Sequence, residues 1–136
     1  LQDNIFDLTQ LILNQRVDEA RSLVSDLRLQ GEDEIKLIAI MLGQFRIFTQ
    51  VKILSENGRA ESQIVSDLSD YLGRKVNPYQ VKFALKDARS LSLAFLKKTM
   101  ACLIETDYQI KSGLYAKDYL FDLALLKITT GELQAK

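Results

Sequence analysis

Asp107 is a carboxylate where the pattern of the chain calls for a hydrophobe. Within and just before the segment Thr99–Leu114, the residues Leu93, Leu96, Met100, Leu103, Asp107 and Ile110 recur at spacings of three and four, which places them on one helical face. An ionised group on an apolar stripe is unfavourable unless it is paired or hydrogen-bonded. Two cations are candidates for that pairing. Lys111 follows by four residues in the favourable acid-first order, and Arg46 lies in a distant apolar segment. Asp107 therefore reads as a structural carboxylate that fixes helix packing. General acid–base chemistry would need a second acid or a histidine beside it, and the pattern supplies neither.

Two further groups invite a functional reading. Arg74, Lys75, Lys82, Lys86 and Arg89 form the densest basic cluster, and positions 82, 86 and 89 share one helical face. They are candidates for phosphate contact. With the preceding helix they suggest a helix-turn-helix DNA-binding regulator built on about 61–72 and 78–90. Against that, the connection is longer than the usual three or four residues, and lysines suit phosphates better than base edges. A solvated helix face is the plain alternative. The third group is the segment Asp118–Ile128, DYLFDLALLKI, which is apolar on two sides. Tyr119, Leu123 and Leu126 point one way, and Phe121, Leu125 and Ile128 another. One face belongs to the core. The second, taken as Phe121, Leu125 and Ile128, is a candidate subunit interface, with burial between the third and sixth helices as the equal alternative.

Composition excludes much else. The chain has 136 residues, no histidine, one cysteine and 18 residues of each charge sign. Without histidine there is no Ser-His or Cys-His pair and no common zinc ligand set. Cys102 cannot form an internal disulfide, which suits a reducing cytoplasm, and it reads as a small packed hydrophobe. Zero net charge argues against global attraction to nucleic acid or lipid. No glycine-rich phosphate loop is present. No apolar run approaches the roughly 20 residues of a bilayer span. The expectation is a non-catalytic chain with no cofactor, no metal and no membrane partner.

The elements that must position these residues are helices, with no convincing strand. The spacing predicts helices over about 5–14, 17–29, 34–55, 61–72 and 78–90, a sixth that starts after a break or bend at Ser90 or Ser92 and runs to 112, and a seventh over 117–129. Asp3 or Asn4 is the expected cap of the first. The third is apolar nearly all round and so central, and Gly43 within it implies a close helix crossing. Gly31, Gly73 and Gly113 are stop signals, and Asn77-Pro78 is a start signal. The tail after Gly131 is polar and expected to fray. The fold class is all-α, a single compact bundle of about six to seven helices forming one domain over 1–136. Leu1 is not methionine, so the chain reads as a piece of a longer protein.

Three ordered segments carry a resemblance. They are GQFRIFTQVKIL (Gly43–Leu54), YLGRKVNPYQVKFALKDAR (Tyr71–Arg89) and ETDYQIKSGL (Glu105–Leu114). Together with the opening IFDLTQLILNQRVDEARSLVSDL, they resemble the C-terminal collar domain of the delta subunit of bacterial DNA polymerase III, over roughly residues 4–128. The matched pattern positions are Gln44, Phe45, Arg46, Gln50, Lys52, Pro78, Tyr79, Val81, Lys82, Asp107, Ile110, Lys111 and Gly113. The resemblance implies a helical module that holds a clamp loader together during DNA replication. Its implied partners are the gamma/tau and delta-prime subunits. The sliding clamp would be reached only through N-terminal domains absent from this chain, and DNA only indirectly or weakly. The parent would be a cytoplasmic subunit of a DNA-directed DNA polymerase, a nucleotidyltransferase complex, with no chemistry in this domain.

Overall fold

The computed structural model describes residues 2–130 and 133, and the tail expected to fray lies outside them apart from Leu133. Among the described residues there are seven helices and no strand: α1 (Gln2–Leu13), α2 (Val17–Leu29), α3 (Glu34–Glu56), α4 (Glu61–Leu72), α5 (Pro78–Ala88), α6 (Leu93–Ser112) and α7 (Lys117–Thr129). The expected boundaries of α2, α4 and α7 match residue for residue. α1 begins earlier than its expected cap, so Asp3 sits in its first turn, where the helix dipole still favours a carboxylate.

The stops and starts follow from local chemistry. Gly73 and Gly113 take left-handed backbone at the ends of α4 and α6. The Asn77 side chain accepts the Tyr79 N–H at 2.9 Å, with Pro78 at the first helical position. Ser92 starts α6 by accepting the Phe95 N–H at 3.0 Å. The α1–α2 turn had no such signal. Gln15, at φ 58°, fills a left-handed position where glycine is usual, and its N–H donates to the Ile12 carbonyl at 3.0 Å.

α3 is the central helix. It packs against α1, α4, α5, α6 and α7 and buries Leu37, Ile38, Met41, Phe45, Phe48 and Val51. Each such side chain contributes about 1.5–3 kcal/mol on burial, which explains why an almost uniformly apolar helix is placed here. α3 is also 23 residues long with a window of mean hydropathy 1.5, so it does have the length and composition of a bilayer span, contrary to the reading from apolar runs. Its apolar length is spent instead on contacts with five neighbouring helices.

The expected crossing at Gly43 is absent. A side chain built there would meet nothing within 4 Å. We therefore expect Gly43→Ala to raise stability by about 1 kcal/mol, the helix-propensity difference, measured by urea denaturation. A loss of stability would show that something does close on this position.

The expected place of Asp107 also changes. The buried line of α6 is Leu96, Thr99, Leu103, Thr106 and Ile110. Asp107 stands beside that line, its side chain 28% exposed, and pairs with Lys111 at 2.8 Å. Arg46 is not its partner. A half-covered i,i+4 pair of this kind contributes about 0.3–0.5 kcal/mol, so Asp107 trims the edge of α6 rather than fixing its packing.

Candidate interaction surfaces

The thirteen pattern positions separate by what they touch. Phe45, Val81 and Ile110 are core. Gln44 is buried between α3 and α1. In the amide orientation that satisfies both ends, its nitrogen donates to Thr9 Oγ1 at 2.6 Å and the Ile5 carbonyl at 3.3 Å, and its oxygen accepts the Phe6 N–H at 3.1 Å. Lys52 donates to the Ala88 carbonyl at 2.9 Å, closing the C-terminal end of α5, and pairs with Glu56 at 3.2 Å. Pro78 and Gly113 are the start and stop already described. These residues hold the bundle together. Arg46, Tyr79 and Lys82 are exposed and Gln50 is partly so.

Arg46, Gln50 and Tyr79 converge on one trough of about 680 Å³ between α1, α3 and the α4–α5 arm. Its floor includes Ala39, Ile40, Gly43 and Ile47 of α3. Phe6 of α1 and Phe83 of α5 line it with their rings 6.2 Å apart. Tyr71 and Tyr79 are 70% and 68% exposed. The spacing of α4 places Tyr71 inward with Ile64 and Leu68, but it stands open, because α3 and α5 cover only the Ile64 and Leu68 side of the helix; Phe83 carried no signal in the sequence.

The basic cluster is divided by the fold. Arg74 and Lys75 line the trough beside Arg46. Lys82, Lys86 and Arg89 are exposed along α5 and do not line it. None of these six cations makes an ion pair among the described residues.

The expected interface on α7 is reversed. Phe121, Leu125 and Ile128 are at most 4% exposed and belong to this chain's own core. The open face is the other one, with Tyr119, Leu123 and Leu126 at 58%, 37% and 46%. Both faces are equally apolar in sequence, and only the position of α1 and α6 against α7 selects between them. Beside Leu123 and Leu126 lies a cleft of about 260 Å³ shared with Val17 and Arg21 of α2.

A polar hub missed by sequence reading braces this region. Arg28 of α2 reaches Glu34 of α3 at 2.9 Å and Asp122 of α7 at 2.8 Å, and lies 5.6 Å from the Phe121 ring centre. Burial works against the guanidinium charge, but Asp122 and Glu34 outweigh it, so its pKa stands above the usual arginine value. Nearby, the hydrogen bond from Lys117 at 2.9 Å holds the Asp33 carboxyl below its ordinary range.

Comparison with known proteins agrees with this architecture. The family model described as DNA polymerase III delta subunit, C-terminal domain, matches residues 2–128. The chain is 36% identical over 128 residues to the DNA polymerase III subunit delta of Bacillus subtilis (strain 168), covering 94% of this chain and 35% of that protein. The solved Bacillus subtilis DNA clamp loader delta protein aligns with a TM-score of 0.84 at 35% identity, covering 94% of this chain and 36% of that one. The chain thus spans about a third of the length of the relatives it matches. These matches displace the helix-turn-helix regulator: α4 and α5 are two members of a delta-type bundle, joined by a five-residue link, 73–77, with Val76 buried in it. On the match over residues 2–128 and the shared fold, the chain belongs to the family formed by the C-terminal domains of DNA polymerase III delta subunits.

Proposed function

We propose that this chain is the assembly module of a clamp-loader delta subunit, with no catalytic chemistry of its own. In this reading it holds the subunit against gamma/tau and delta-prime in the cytoplasmic machine that places the sliding clamp on primed DNA. The clamp contact lies in the rest of the parent protein. The observation that carries the reading is the family match, together with an apolar α7 face that the chain itself leaves uncovered. The lack of histidine fits a binding role.

The α7 face makes the reading testable. Leu123→Glu with Leu126→Glu in the full-length delta subunit places two charges in the contact. We expect association with purified gamma/tau and delta-prime to weaken at least tenfold by analytical gel filtration, with helicity by circular dichroism unchanged. If the unsubstituted subunit fails to associate at micromolar concentration, the assembly reading is wrong.

The row Lys82, Lys86 and Arg89 supports a weaker, sequence-independent contact with DNA phosphates in the assembled loader. Replacing Lys82 and Lys86 by alanine should weaken binding of primed DNA uniformly across sequences. It should also lower the salt slope by about one to two. An unchanged slope would reduce this row to a solvated helix face.

A further inference from the structure

The trough and the α7 face have no lining residue in common, so the domain carries two separate surfaces. The trough floor follows α3 from Ala39 to Gln50, a run of about 16 Å at 1.5 Å per residue, or three helical turns. Over Gly43 the floor is open, since a Cβ there would meet nothing within 4 Å, and another backbone can come close. Around this aliphatic floor stand exposed Tyr71, Tyr79 and Phe83. Tyrosine and arginine at the rim of a concave apolar site are the composition of protein-binding hot spots.

Charge identifies the occupant. The chain as a whole is neutral, yet among the described residues Arg46, Arg74 and Lys75 border the trough without ion pairs, against one lining carboxylate, Asp3. Three unpaired cations beside an apolar channel complement an acidic flank on an apolar stripe. Single-stranded nucleic acid would use the same cations and rings. However, the rings stand at the rim, and the floor along Ile40, Ile47 and Leu72 is aliphatic, which suits the apolar face of a helix better than a row of stacked bases.

We propose that the trough seats an amphipathic helix with an acidic flank, contributed by a neighbouring clamp-loader subunit. The proposal rests on the assembly reading and adds a second docking surface to it.

Gly43 provides the test. Gly43→Phe fills the trough from a position that is open in this structure and improves local helix propensity. It is made in the full-length delta subunit and compared with the surface variant Arg46→Glu/Lys75→Glu, which keeps the experiment decisive should the phenylalanine unsettle the fold. The probes are purified gamma/tau and delta-prime for assembly, and a thirty-nucleotide oligo-dT for single-stranded DNA. The expected result is assembly weakened at least tenfold by each variant, with a wild-type melting curve for the charge variant and unchanged oligo-dT binding. If both variants assemble as well as the unsubstituted subunit, the trough proposal is overturned while the assembly reading stands. Loss of oligo-dT binding with assembly intact also overturns it, in favour of a nucleic-acid channel. If the unsubstituted subunit does not assemble at all, both fall together.

Discussion

Phe45→Ala is expected to remove about 3–5 kcal/mol of stability, the cost of emptying a fully enclosed aromatic site. Phe45 has no exposed surface and sits in the middle of α3, its ring 6.1 Å from that of Phe48. α3 packs closely against five other helices, so the cavity cannot be closed by shifting one of them without loosening the rest. Typical domains have about 5–15 kcal/mol in total, so a fifth or more of the margin would go. For a chain of this length the melting temperature should fall by about 10–20 °C. Phe45→Leu keeps most of the volume and should cost less than half as much. Thermal melting followed at 222 nm measures both. A fall of only one or two degrees for Phe45→Ala would mean that the centre of the bundle is not packed as described.

Arg28→Ala should cost about 2–3 kcal/mol, more than any other ion-pair deletion in the molecule, because it leaves Glu34 covered and without a cation. Glu34 is 8% exposed. The cost stays below that for a fully enclosed pair because Arg28 itself is 27% exposed and Glu34 sits in the first turn of α3, where the helix dipole offsets part of the loss. The double variant Arg28→Ala/Glu34→Gln should recover much of it, since no charge is then left covered. Chemical denaturation of the four proteins of this cycle measures the coupling. Additive effects of the two single changes would remove Arg28 from its bracing role.

Arg28 also marks the limit of what could be read from the chain. Its partners are Glu34, six residues on, and Asp122, ninety-four residues on. No local pattern links such positions. The helices themselves were legible because their signals are local. Gly73, Gly113 and Asn77-Pro78 act within one turn of their own backbone, and the three-to-four spacing needs only the chain's own period. Gln15 was silent because the turn it forms uses a residue with no preference for that backbone.

For the surfaces the division is sharper. The sequence alone determined an all-α chain, the limits of α2, α4 and α7, the central place of α3 and the family resemblance that the comparisons bear out. It also determined that α7 is apolar on two sides. The tertiary structure decided which side is used up internally. It put Phe121, Leu125 and Ile128 in the core, moved Asp107 to the margin of α6, and opened a trough over Gly43 where a crossing was expected. The reason is that periodicity fixes which residues share a face. What a face meets depends on how helices distant in sequence pack around it, and that is a property of the whole bundle.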